Sequence, residues 1–185
     1  MCQHDNNKQG ETMKPLNIIP LILIAGLIFG CESTTSSTED TEDPSPEDVL
    51  KKEYQDEQAE ILQTWDEIVE SVEEGDIDKL ISFHGYGPKF TEFKQGAPRN
   101  GEEQNEAFER GVFGSVTEVV KMDANEMKIA VYYENVAIVT FHSDFHLMFG
   151  EDLAVINEQE TLVFVKTENG EWKIVHEHHA PLNAE

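Results

Sequence analysis

The hydrophobic period of this chain changes once, and that change limits what it can fold into. In the first half apolar residues recur at threes and fours; from residue 116 onward they alternate. Leu50, Tyr54, Ile61, Trp65, Ile68, Val69 and Val72 form one helical stripe, with Glu57 its one polar member. Glu73-Glu74-Gly75 ends that helix, and Asp76 is placed to cap a second, short one through Ile77, Leu80, Ile81 and Phe83. Gly85, Gly87 and Pro88 then break the chain. Residues 89–93 suit a short strand, 98–101 a turn and 102–110 a third helix. Strands are expected at 116–122, 127–133, 136–149, 157–166 and 171–179. Asn169-Gly170 signals a hairpin. As a two-residue turn it sets Thr167 opposite Trp172, Val165 opposite Ile174, Val163 opposite His176 and Thr161 opposite His178. Helices first and a meandering antiparallel sheet after predict an α+β domain.

Before this domain lies a different kind of sequence. Residues 16–29, LNIIPLILIAGLIF, are apolar but shorter than the roughly 20 residues that cross a bilayer. With Lys14 ahead of it, the run fits the apolar region of a secretory signal, and Met13 is the expected start. Leu27-Ile28-Phe29-Gly30-Cys31 resembles a bacterial lipobox, with Phe29 departing from the usual small residue. The resemblance implies cleavage before Cys31 and a lipid on its sulfur. Residues 32–48 contain no apolar side chain and cannot bury a core, so they read as an acidic tether reaching roughly 20–25 Å. The expected organisation is a signal at 1–30, lipidated cysteine and tether at 31–48, and one domain at 49–185. That places the protein in the bacterial cell envelope. By analogy with enteric sorting, Glu32 after the cysteine points to the outer membrane.

Charge and cysteine content narrow the function. Lys and Arg number 13 against 38 Asp and Glu, a formal charge of -25, which repels phosphate backbones and argues against nucleic acid as a partner. Both cysteines, Cys2 and Cys31, precede the domain, which must therefore hold together without a disulfide or thiolate metal site.

The candidate chemistry sits on two strands and one loop. Simple alternation puts His176 and His178 on a face with Trp172 and Ile174, and Glu177 and His179 on the other. His142, Asp144 and His146 likewise share a face, where Asp144 can orient a neighbouring imidazole for proton transfer. The same histidines with Asp144 offer metal-ligand spacing, although such pairs are common without metal, and no metal or cofactor is assigned. His84, Tyr86, Phe90 and Phe93 lie in a glycine-rich aromatic loop that either lines an apolar cavity or fills the core. Arg99 and Arg110 are the only arginines and are expected to pair with carboxylates.

The last strand, from Gly170 through Trp172, Ile174, His176, His178 and His179 to Pro181, is similar to the C-terminal strand of SnoaL-like domains in the nuclear-transport-factor-2-like superfamily. Trp65 on the first long helix, Gly75-Asp76-Ile77-Asp78, the segment at 135–140 and Thr161 agree with it. The resemblance implies a cone: a curved antiparallel sheet wrapped around about three helices, with a pocket at the open end. On that reading His176, His178, His142, Asp144 and His146 are polar or catalytic pocket groups. Trp65, His84, Tyr86, Phe90, Phe93, Thr161, Val163, Trp172 and Ile174 line the pocket. The leading expectation is a lipid-anchored module that binds a small, partly apolar ligand. An isomerase, cyclase or dehydratase using pocket histidines is the second. The third is a dimerising interaction domain with an exposed apolar face at Leu162, Phe164 and Val175.

Overall fold

The computed structural model describes residues 45–182. The signal-like run, Cys31 and most of the acidic segment lie outside the described residues. Helix α1 (Pro46–Lys51) starts within that acidic segment, where the Ser45 hydroxyl accepts the Asp48 N–H at 3.2 Å. It buries Val49 and leaves Leu50 74% exposed, so Leu50 is not part of the core stripe. Lys52 turns extended, with ψ 127°, before Tyr54 packs inward, which splits the long helix read from the spacing into two. Helix α2 (Gln55–Glu73) buries Ile61, Ile68 and Val72. Asp76 caps α3 (Ile77–Ser82) through the Lys79 N–H at 2.9 Å, and α4 spans Glu102–Phe113. Among the described residues no helix is long and apolar enough to cross a membrane.

The strands are β1 (Thr91–Lys94), β2 (Ala97–Pro98), β3 (Glu118–Tyr132), β4 (Val136–Phe149), β5 (Asp152–Ile156), β6 (Glu158–Lys166) and β7 (Trp172–Pro181). They form one sheet in the order β2-β1-β7-β6-β4-β3, with β5 on the far half of β4. The β1–β7 pair is parallel, whereas the other pairs are antiparallel. The two strands expected at 116–122 and 127–133 are one, interrupted by an irregularity between Asn125 and Lys128 where Glu126 takes φ 55°.

One sheet face packs on the helices. Val139 and Phe141 of β4, and Leu162 and Phe164 of β6, meet Ile61 and Ile68 of α2 in the core. Side chains of this kind contribute about 1.5–3 kcal/mol each when fully buried, which stands in for the missing disulfide. Leu162 and Phe164 are therefore core residues and not an exposed association surface.

The β6–β7 hairpin differs from the simple reading in two places that cancel. Its loop holds Glu168, Asn169 and Gly170, closed by the Thr167 N–H to the Glu171 carbonyl at 2.8 Å, with Gly170 at φ 83°. Trp172 therefore pairs with Lys166, and Ile174 with Phe164. Val175 is then unmatched, a β-bulge, and Val163 pairs with His176 as the two-residue turn also required. Because the bulge takes up one residue, the inward face runs Trp172, Ile174, then Glu177 and His179. Glu177 opposes Leu162, and His179 opposes Glu160.

Candidate functional site

A cavity of about 340 Å³ opens between the helices and the inner sheet face. Trp65 and Ile68 of α2, Phe113 of α4, and Phe141 and Phe145 of β4 give it an apolar wall. Trp65 tilts against Phe141 with ring centroids 4.8 Å apart. The opposite wall is polar: His84, Glu109, Glu158, Glu160, Glu177 and His179. Lys94 and Gln95 reach it from the end of β1.

Both histidines of this wall stand between oxygen acceptors. His84 Nδ1 lies 3.3 Å from the Ile81 carbonyl, which can only accept, and Nε2 lies 2.8 Å from Glu177 Oε1. Burial opposes the charge on His84, yet Glu177 outweighs it and raises the pKa. His179 Nε2 lies 3.1 Å from Glu177 Oε2, and Nδ1 contacts Glu160. Against the cost of burial, these two carboxylates raise its pKa to about 10. Glu177, although buried, is held well below the usual carboxylate range by His179 and His84. A row of alternating charges thus crosses the inner face from His84 through Glu177 and His179 to Glu160.

Behind this row, Glu92 takes Arg99 at 2.8 Å and the Asn105 amide at 3.0 Å, and Asn105 accepts the Tyr86 hydroxyl at 2.5 Å. Burial, then Glu109 and Glu177, push the Tyr86 phenol far up. Glu158 takes Lys94 at 2.9 Å and Gln95 at 3.0 Å. Although burial works against it, Gln95 and Lys94 hold Glu158 below its ordinary value.

Glu109 is different. It is 7% exposed, lines the cavity, and no hydrogen bond or ion pair among the described residues reaches its carboxyl. Burial, then the Glu177 charge, pushes its pKa up to about 7.

The sequence-predicted residues divide. Trp65, His84 and Ile174 line the cavity. Tyr86 stacks on His84 at 5.3 Å, and Phe90 packs edge-on against both, so these two fill the core behind the polar wall. Trp172 is buried away from the cavity, with its indole N–H on Glu60 at 2.9 Å. The remaining candidates lie on the outer sheet face. Thr161 and Val163 sit there opposite His178 and His176. His176 Nδ1 meets the Thr91 hydroxyl at 2.8 Å, His178 is exposed, and Phe93, its neighbour on β1, is 43% exposed. On β4 the inward positions are Phe141, Ser143 and Phe145, which turns His142, Asp144 and His146 outward. There Asp144 pairs with Lys121 and, at 2.9 Å, with His146; His142 lies 3.4 Å from Glu126.

The expected pairing of His176 and His178 with Trp172 and Ile174 on one face thus fails because the Val175 bulge resets the alternation. Nor are those histidines gathered with His142 and Asp144 as a ligand set. The two acidic triplets at ligand-like spacing, Glu92–Glu177–His179 and Glu158–Glu160–His179, share a histidine whose two nitrogens both face carboxylates. Arg99 pairs with Glu92, and Arg110 with Asp78 and Glu106, as carboxylate partners were expected to do.

Glu109 carried a readable signal: Asn105, Phe108, Glu109 and Val112 follow helical spacing, so one helix face holds both acid and apolar residues. Glu158 and Glu160 alternate in phase with Leu162 and Phe164. Glu177 and His179 were hidden by the bulge.

Helices on the inner face of a curved, open sheet, with a cavity between them, define a nuclear-transport-factor-2-like domain. Within that class, the chain belongs to the SnoaL-like domain family, whose model matches residues 61–183. Similar solved structures include a putative dehydratase of the nuclear transport factor 2-like family from Streptomyces avermitilis. It has TM-score 0.61 and 16% identity, over 70% of this chain and 99% of that one. A nuclear transport factor 2-like superfamily protein from Salmonella enterica serovar Typhimurium has TM-score 0.60 and 19% identity, over 71% and 95%. At such identities the likeness concerns the fold. No curated protein matches the chain significantly.

Proposed function

We propose that this domain binds a small, partly apolar molecule in the cavity, with its polar end at Glu109, and that Cys31 carries a lipid anchor. The observation behind the binding reading is the contrast within one hollow: an aromatic wall on one side and a single buried, unpartnered carboxyl on the other. The lipobox-like Leu27–Cys31 sequence supports the anchor. The neutral probe 2-phenylethanol tests the pocket. In NMR titration it is expected to shift the resonances of the Trp65 indole and of the methyl of Met122, which also lines the cavity, and His176→Ala is expected to leave that response unchanged. Unmoved Trp65 and Met122 signals at saturating probe would remove the pocket reading.

A second reading, acid–base catalysis of the isomerase or dehydratase kind, is favoured by the position of the Glu109 pKa near neutrality. In that reading Glu109 exchanges a proton with a carbon next to a carbonyl. His84, with Nε2 2.8 Å from Glu177, positions the wall beside Glu109 and is not the proton acceptor in this reading. Loss of catalysed deuterium exchange in Glu109→Gln, with probe binding retained, is the result this reading requires.

A further inference from the structure

The polar wall can be read as a set of charge pairs. Glu92 has Arg99 at 2.8 Å, Glu158 has Lys94 at 2.9 Å, Glu177 has His84 at 2.8 Å, and Glu160 has the His179 ring. Among the described residues, every carboxylate facing the cavity or backing its wall has a basic partner except Glu109. Its carboxyl is buried, unpartnered among the described residues, and opens on the same hollow as Trp65, Phe141 and Phe145.

We infer that the ligand is a small amine: one ammonium group on an aromatic or other apolar body. The inference rests on the binding reading above and names the chemical class that the site selects. A primary ammonium brings three donors and one positive charge, which supplies the counter-charge Glu109 lacks. The body then lies against Trp65, Phe141 and Phe145, where the ring faces also favour a nearby cation. An anionic ligand would meet uncompensated negative charge. A bare or hydrated metal ion would leave the aromatic wall unused. A neutral alcohol or ketone would fill the hollow without meeting the Glu109 charge.

The same geometry links binding to proton release. With the cavity empty, Glu109 holds a proton for part of the time near neutral pH. It is faced by His84 after α3, Tyr86 in the following loop, Glu92 of β1, and Glu177 and His179 of β7. Lys94, Glu158 and Glu160 share the cavity. An ammonium binds the ionised form, so affinity should be about twenty-five-fold weaker at pH 5.5 than at pH 7.5, the change in the ionised fraction of a group titrating near 7.

Calorimetric titration of the full chain with 2-phenylethylamine and its neutral analogue 2-phenylethanol tests this. At pH 7.5 the amine is expected to bind at least tenfold more tightly than the alcohol. Glu109→Gln should abolish that preference, bringing the amine's affinity down to that of the alcohol. The pH dependence of the unmodified protein gives a check that needs no variant. Equal or tighter binding of the alcohol would overturn the inference and leave the pocket reading standing. So would an amine preference that survives Glu109→Gln, or amine affinity that does not change with pH. Binding of neither probe would overturn both.

Discussion

Ionising Glu109 places a charge in a cavity wall where no ion pair among the described residues neutralises it, and this sets a pH dependence on the fold. Its pKa rises from an ordinary 4.5 to about 7 on folding, so its contribution is full below 4.5 and is lost as pH climbs through 7. His179, raised from 6.5 to about 10, behaves likewise: its stabilisation is full below 6.5 and fades towards 10. Glu177 has the opposite sign, because its lowered pKa gives stability that is present above 4.5 and lost in acid. Thermal melts are therefore expected to peak in mild acid and to fall on the alkaline side in two stages. Glu109→Gln should remove the first stage and stabilise the protein by about 1–3 kcal/mol at pH 8. A melting curve unchanged by this substitution across pH 4.5–8 would contradict the assignment. At this scale the sequence was partly legible. The spacing of Asn105, Phe108, Glu109 and Val112 held a local signal for Glu109 that the sequence reading did not use, and the shared face of His142, Asp144 and His146 did not say which side of the sheet it was.

At the scale of elements, the polar wall depends on how β7 is held. The chain after α3 crosses β7 beside the bulge: the Ile174 N–H donates to the Phe83 carbonyl at 2.8 Å, and the Gly85 N–H donates to the Ile174 carbonyl at 2.7 Å. This crossing sets His84 against Glu177. A side chain would crowd it, since a Cβ at Gly85 would come within 3.1 Å of Lys173 Cβ and 3.2 Å of Val175 Cγ1. Gly85→Ala is expected to cost about 1 kcal/mol and to weaken the His84–Glu177 contact, read as a lower His84 pKa by NMR titration. An unchanged His84 titration would show that the crossing does not position the ring. Most elements were legible: the Asp76 cap, the helix end at Gly75 and the strand alternation were all local signals, while α4 runs past the expected Arg110 to Phe113. What was not legible was non-local. The bulge at Val175 exists because β6 and the Asn169-Gly170 loop impose a register that β7 alone does not reveal. The pairing of β5 with β4, likewise, is visible only once the sheet is assembled.

For the molecule as a whole, the fold class followed from one change of hydrophobic period, while the identity of the inner face required three-dimensional register. The chain's charge of -25 disfavours anionic partners at long range and suits attraction of a cationic one. Under the proposed anchor, Cys31→Ser should move the protein from the membrane fraction to the soluble fraction; unaltered retention in membranes would refute it. The bulge carries a wider consequence. β7 bears two interleaved polar rows, His176 with His178 on one side and Glu177 with His179 on the other, and a single surplus residue at Val175 decides which row a guest molecule meets. Smoothing that kink would exchange the interior for the exterior without altering one side chain. Where a strand stores its spare length is then as much a determinant of binding chemistry as which residues it carries.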